Sequence, residues 1–286
     1  MKNLSDLRVI HNILERHGFR FSKALGQNFL VDATVCPRMA DSCGADENTC
    51  VLEIGPGIGV LTTELAQRAK KVVAVELDQR LLPVLEETLA EFDNVAVIQG
   101  DVLELDLSAL LQENFGDDPA VVCANLPYYI TTPILMRLLE SGLPFNAITV
   151  MVQKEVADRL TARPGEKNAG AITVMVDYYA EAEKCFGVPK GAFTPAPKVD
   201  SAVIRLVRRA APPVHVDDPK AFFRLVKAAF AQRRKTAVNS LSATLGVPKP
   251  AVTEALAACG LDANVRAEVL STEDFAALFR ALEASL

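Results

Sequence analysis

The run Val51-Leu52-Glu53-Ile54-Gly55-Pro56-Gly57-Ile58-Gly59 is an apolar segment of strand length that breaks abruptly into glycines. A short apolar run bounded by Gly and Pro predicts a strand covered on both faces, as in a parallel sheet. A glycine turn at the carboxyl end of such a strand fits several nucleotide ligands, and spacing separates them. A dinucleotide fingerprint needs its third glycine where Val60 stands, and a phosphate-binding loop needs Gly-Lys-Ser/Thr, which is absent. Gly55, Gly57 and Gly59 instead let the backbone pass close to a ligand, with the amino end of a helix starting near Val60 beside it. S-adenosylmethionine, with its carboxylate and adenosine, suits that loop.

The next two strand-like runs supply what an adenosine needs. Lys71-Val72-Val73-Ala74-Val75 ends at Glu76, followed by Leu77, about 20 residues after the first glycine, the spacing of a ribose-binding carboxylate. Val95-Ala96-Val97-Ile98-Gln99-Gly100 delivers Asp101, placed to accept from the adenine amine, with Val102 to pack on the ring. Either acid alone reads equally as a solvated helix cap. In series after the glycine loop, they read as cofactor contacts.

Val121-Val122-Cys123-Ala124 runs into Asn125-Leu126-Pro127-Tyr128, whose chemistry fits methylation of a planar, weakly nucleophilic amine. The exocyclic amine of adenine donates its lone pair into the ring. Hydrogen bonds from that amine to the Asn125 side-chain oxygen and the Leu126 carbonyl favour a more tetrahedral nitrogen that attacks a methyl group. Asn125 also borders the cofactor. Pro127 fixes the backbone, and Tyr128 offers a ring for a flipped-out base. The plainer alternative is a proline turn after a buried strand. Further on, Ala192-Phe193-Thr194-Pro195-Ala196-Pro197 is a stiff loop able to present Phe193 to the opposite face of the base. Its alternative is a hydrophobic plug.

Half of the 286 residues are apolar, enough for one substantial core and a second smaller one. No apolar run approaches the roughly 20 residues of a membrane span, and the amino end lacks a signal-peptide profile, so a cytoplasmic location is expected. The six cysteines form no Cys-x-x-Cys pair and have no neighbouring His cluster, so reduced thiols and no metal are expected. His11 and His17 have no companion at ligand spacing and receive no role. Residues 4–14 read as an amphipathic helix, expected to lid the cofactor.

The net charge of −6 argues by itself for a small-molecule substrate. Its distribution reverses that inference. No acidic residue lies between Asp218 and Glu254, whereas Lys220, Arg224, Lys227, Arg233, Arg234, Lys235 and Lys249 all do. A charge run is ordinarily a solvated helix face, but downstream of an adenine methylation motif it points to phosphate contact, with Arg224, Lys227, Arg233, Arg234 and Lys235 as the RNA-binding candidates. Phe222, Val226, Ala229 and Phe230 recur at helical spacing, as do Val238, Leu241 and Leu245, and Ala211-Pro212-Pro213 marks a boundary before them.

Taken together, these motifs resemble the bacterial type of small-subunit (16S) ribosomal RNA adenine N6,N6-dimethyltransferase. The similarity spans nearly the full length. It rests on Lys23-Ala24-Leu25-Gly26-Gln27-Asn28-Phe29-Leu30, the glycine loop, Glu76, Gly100-Asp101, Asn125 to Pro133, Gln153-Lys154-Glu155-Val156-Ala157, the run from Phe193 to Ser201, and Gln232-Arg233-Arg234-Lys235-Thr236. The resemblance implies transfer of two methyl groups from S-adenosylmethionine to N6 of each of two neighbouring adenosines near the 3′ end of the small-subunit RNA. It further implies that Gln27, Asn28 and Leu30 touch the cofactor, that Glu76 and Asp101 hold its adenosine, and that Asn125 lines the reaction site. One departure is Ala169, where family members commonly carry a tyrosine, so no RNA contact is assigned there.

The expected architecture is α/β: a Rossmann-like class I S-adenosylmethionine-dependent methyltransferase domain over residues 1–211, then a small all-helical RNA-positioning domain over 212–286. The expected protein is a monomer that acts on the small ribosomal subunit. Three rivals share parts of the pattern. A large-subunit adenine methyltransferase of the macrolide-resistance type shares the cofactor loop and an Asn-x-Pro-Tyr site, but Leu126 and residues 232–236 favour the small-subunit group. A non-catalytic nucleic-acid-binding factor is disfavoured by the intact Gly55, Glu76, Asp101 and Asn125. Protein-glutamine methylation calls for Pro at position 126.

Overall fold

The computed structural model describes residues 4–19, 28–166, 168–232 and 234–283. Helix α1 (Leu7–Arg16), the two-residue strand β1 (Phe29–Leu30) and helix α2 (Val35–Cys43) come first. Strands and helices then alternate: β2 (Cys50–Ile54), α3 (Val60–Ala66), β3 (Lys71–Glu76), α4 (Leu82–Thr88), β4 (Val95–Gln99), α5 (Leu107–Phe115), β5 (Ala120–Asn125), α6 (Thr131–Glu140) and β6 (Phe145–Gln153). After these come α7 (Lys154–Leu160), α8 (Ala171–Tyr179), β7 (Ala180–Val188), β8 (Phe193–Thr194), β9 (Ser201–Arg208), α9 (Pro219–Phe230), α10 (Ala237–Leu245), α11 (Lys249–Ala258) and α12 (Thr272–Leu282).

The main sheet has the order β4-β3-β2-β5-β6-β9-β7. From β4 to β6 all neighbours are parallel, and β9 runs antiparallel to β6. The chain builds outward from β2 through β3 to β4, then returns to place β5 on the other side of β2. That reversal opens a crevice at the carboxyl ends of β2 and β5, where ligands of open α/β sheets bind. The apolar runs behave as their composition predicts, since every residue of β2 and all but one residue each of β3 and β5 are buried. One side is covered by α2 and α3, whose Met39, Ala40, Leu61 and Leu65 pack with Val51, Val72, Val121 and Met151.

Helix α1 is amphipathic, capped by Asp6, which accepts from the Arg8 amide at 2.8 Å. Its buried Ile10, Ile13 and Leu14 pack with Phe29, Ile58, Leu81, Val84 and Leu85, and His17 Nε2 meets Glu87 Oε2 at 2.8 Å. The helix expected as a lid therefore packs its apolar stripe partly on α4 and partly on Phe29 and Ile58, two residues that line the cavity described below.

The chain forms two compact units, Met1–Ala157 with Glu183–Arg208, and Asp158–Ala182 with Arg209–Leu286. In the second, α9 buries Phe222, Phe223, Leu225, Val226, Ala228 and Ala229, a wider stripe than four-residue spacing alone predicts. The reason is that α9 meets three helices. Tyr178 of α8 lies edge-on to Phe223 at 5.2 Å, Phe279 of α12 packs on Phe222 at 5.9 Å, and Ser240 of α10 donates to the Ala228 carbonyl at 2.7 Å. Ala169 is buried in this unit, its amide donating to the Glu166 carbonyl. Among the described residues, no helix is long and apolar enough to cross a membrane.

Candidate active site

The glycine loop follows β2 in the conformation that only glycine adopts readily. Gly55, Gly57 and Gly59 have φ of 71°, 61° and 90°. Gly55 lines the cavity, and a Cβ on it would meet no atom within 4 Å, so the space beside its backbone is open. Gly59 does something else. It is the amino cap of α3, and a Cβ there would lie 3.1 Å from Leu89 and 3.2 Å from Thr88, so it serves the approach of α4 and does not line the crevice.

Glu76 ends β3, buried. It accepts from the Gly57 amide at 3.2 Å and from the Asp78 amide at 2.8 Å. Burial pushes its carboxyl up, while those two amides pull it back. Asp101, one residue beyond Gly100 at the end of β4, accepts from the Leu103 amide at 2.9 Å through Oδ1. Glu76, Leu77, Asp101 and Val102 line one cavity with Gly55 and Gly57.

Asn125 and Leu126, at the carboxyl end of β5, line the same cavity. Among the described residues, no group hydrogen-bonds to the Asn125 side chain or to the Leu126 carbonyl, although Leu126 is 1% exposed. The turn behind them is fixed: the Pro127 carbonyl accepts from the Ile130 amide at 3.2 Å and from Thr131 Oγ1 at 3.1 Å. Tyr128 is half-buried and its hydroxyl bonds Ser201 Oγ at 2.7 Å. Burial raises the Tyr128 phenol, and the Ser201 bond opposes that rise.

Phe193 is buried, as the plug reading expects, and also lines the cavity. Its position comes from a pairing that sequence reading missed. β8 pairs antiparallel with β1, setting Leu30 opposite Phe193 and Phe29 opposite Thr194, and the Ala192 carbonyl accepts from the Val31 amide at 2.8 Å. This small ladder brings Asn28 and Leu30 to the cavity. Gln27 lies outside the described residues.

In the second unit, Arg224 and Lys227 are exposed on one face of α9, and Arg234 and Lys235 are exposed in the turn before α10. Ser240 Oγ receives the Gln232 amide at 3.1 Å and so ties that turn to α10. Arg233 lies outside the described residues. All six cysteines are free thiols, and no group of His, Cys, Asp or Glu among the described residues is arranged to hold a metal.

Known proteins share both the sequence and the fold. The model of the family described as "Ribosomal RNA adenine dimethylase" matches residues 18–284. The chain belongs to the ribosomal RNA adenine dimethylase family. Ribosomal RNA small subunit methyltransferase A of Geobacillus thermodenitrificans is 52% identical over 274 residues, 94% of each chain. The protein of that name from Bacillus licheniformis is 53% identical over 270 residues, covering 93% of this chain and 92% of its own. A dimethyladenosine transferase from Plasmodium falciparum has the same fold, with a TM-score of 0.75 at 24% identity over 90% of this chain and 98% of its own. The 23S rRNA methyltransferase ErmE superposes with a TM-score of 0.67 at 31% identity over 90% of this chain and all of its own.

This dimethylase carries one cavity-lining acid to which sequence reading gave no role. Glu53, in the middle of the quoted run, is 1% exposed. Burial raises its carboxyl to about 8, with the Glu76 charge pushing the same way. Thr62 pulls it down without closing a well-formed hydrogen bond, and among the described residues neither Glu53 Oε2 nor Thr62 Oγ1 has a partner. An orphaned carboxyl oxygen in a crevice suits a cationic ligand group. The signal was available, since a charged residue inside a run buried on both faces needs a partner.

Proposed function

We propose that this chain transfers methyl groups from S-adenosylmethionine to N6 of two neighbouring adenosines near the 3′ end of small-subunit (16S) ribosomal RNA, giving N6,N6-dimethyladenosine during small-subunit maturation. The observation that carries it is the pair of uncommitted acceptors, the Asn125 side chain and the Leu126 carbonyl, in one cavity with Tyr128 and Phe193. Relatives named for the small subunit, about half identical over nearly the whole chain, support that subunit over the large one.

The cavity fits the cofactor: Gly55 leaves room, Glu76 and Asp101 offer oxygens at two strand ends, and Glu53, in the cavity wall, has a buried oxygen without a partner that an ammonium would satisfy. Bound S-adenosylmethionine supplies an electrophilic methyl on a sulfonium. Everything else falls to the chain. Asn125 and Leu126 accept the two hydrogens of the adenine amine and turn its lone pair out of the ring. Pro127, tied through its carbonyl, holds that geometry. Tyr128 and Phe193 stack the flipped base, which offsets the cost of unstacking it. As the methyl leaves the sulfonium, which becomes a neutral thioether, the nitrogen turns cationic and sheds one proton to water; the monomethylated amine then keeps one hydrogen, which one of the two acceptors holds for a second attack. The helices beyond residue 212 position RNA through Arg224, Lys227, Arg233, Arg234 and Lys235 on phosphate. The protein works in this reading as a cytoplasmic monomer.

Incubation with methyl-labelled S-adenosylmethionine and a mixture of unmethylated small and large subunits tests it. Label in small-subunit RNA is expected. Label confined to large-subunit RNA transfers the assignment to the reaction in ErmE's name, and cofactor binding with no labelled RNA refutes ribosomal methylation.

A further inference from the structure

The two tyrosines after the Asn125 motif are placed differently. Tyr128 is half-buried with its hydroxyl on Ser201, whereas Tyr129 is 57% exposed and still lines the cavity. Among the described residues, no hydrogen bond or ring contact engages Tyr129. It sits inside the turn from Pro127 to Ile130, whose closing bonds converge on the Pro127 carbonyl, so the backbone beneath the ring is fixed. The other large exposed apolar residue of the lining, Leu77, stands beside Glu76 on the cofactor side. An aromatic ring that lines the crevice yet stays largely in water is an unspent stacking surface.

The reaction proposed above says what needs that surface. Two neighbouring adenosines are modified in turn, so while one base is inside, the nucleotide next to it has lost its stacking partner at the mouth. We propose that Tyr129 is a positioning residue that stacks this flanking nucleotide, holding the strand while either adenosine occupies the cavity. Stacking suits the task because every base has a π-face, so one platform serves both registers. This inference rests on the reading of the chain as an RNA adenine methyltransferase.

The test compares wild type with Tyr129→Ala and Tyr129→Phe on a small-subunit 3′-end RNA carrying fluorescent 2-aminopurine next to one target adenosine, and on unmethylated small subunits. Wild type and Tyr129→Phe are expected to quench the probe and to share one KM for RNA. Tyr129→Ala should lose the quench and raise that KM roughly 5- to 100-fold, the usual worth of a base on an aromatic ring. Its affinity for S-adenosylmethionine should stay at the wild-type value, which separates lost stacking from misfolding. Unchanged quench and KM in Tyr129→Ala, with wild type active, overturn the platform alone. Tyr129→Phe failing as badly as Tyr129→Ala assigns the effect to the hydroxyl and overturns stacking. A wild-type protein that methylates no RNA removes the functional reading and the platform with it.

Discussion

Glu53→Gln should abolish most of a pH dependence that the native protein carries in its own core. The Glu53 carboxyl is 1% exposed, and burial holds it at about 8 against an ordinary 4.5. For an acid raised on folding, the unfolded chain gives up its proton first, so between pH 4.5 and 8 the native state binds more protons. The stability contributed by Glu53 is then greatest below pH 4.5 and falls as pH rises through that window. A shift from 4.5 to about 8 sets a ceiling of about 5 kcal/mol on the loss. Glu76, also raised by burial, adds in the same direction. Asp6, Asp32 and Asp46 are lowered by hydrogen bonds to Arg8, Thr34 and Thr49, and act only in more acidic solution. Urea unfolding at pH 5, 6, 7 and 8 should show wild type losing a few kcal/mol across the series, with Glu53→Gln much flatter and the more stable of the two at pH 8. Calorimetry gives a second reading. At pH 7, S-adenosylmethionine binding to wild type should release protons, because a cation beside Glu53 favours the carboxylate, and the variant should release fewer. Parallel stability curves for the two proteins would refute the reasoning.

Asn125→Ala should bind S-adenosylmethionine within a few-fold of wild type while kcat falls by about 100-fold or more, the usual scale for losing an oriented acceptor at a reacting group. Gly55→Ala forces a Cβ onto φ of 71°, so urea unfolding should show a loss of roughly 1–2 kcal/mol, and titration should show weaker cofactor binding. Arg234→Glu with Lys235→Glu should weaken binding to small subunits and flatten its dependence on salt by about 0.7–0.9 per lost phosphate contact, with cofactor affinity unmoved.

Much of the cavity lining was legible because β2, β3 and β5, buried nearly throughout, announce themselves as apolar runs, and these runs and the partly buried β4 each lead into the residues that the sheet delivers to its carboxyl edge. Gly55, Glu76, Asp101 and Asn125 were readable for that reason. What escaped was non-local or doubly used. β1 and β8 are two residues each, too short to show a period, and nothing near Leu30 says that it will face Phe193. Gly59 has the spacing of a ligand glycine but spends its missing Cβ on Leu89 and Thr88. The stripe of α1 is visible in sequence, but not that Phe29, Ile58 and α4 would share it. Residues 158–182 carry no composition shift, and it takes the packing of Tyr178 and Tyr179 against Phe222 and Phe223, with Thr272 Oγ1 donating to Asp177 at 2.6 Å, to show why they belong with the later helices.

The most direct test of dimethylation is to digest small-subunit RNA after exhaustive reaction with the purified protein, and to count and locate its methylated adenosines by mass spectrometry. The account predicts N6,N6-dimethyladenosine at two adjacent positions near the 3′ end, approaching about four methyl groups per subunit. Methylation that stops at N6-methyladenosine, falls elsewhere in the RNA, or is absent while the cofactor binds would contradict it.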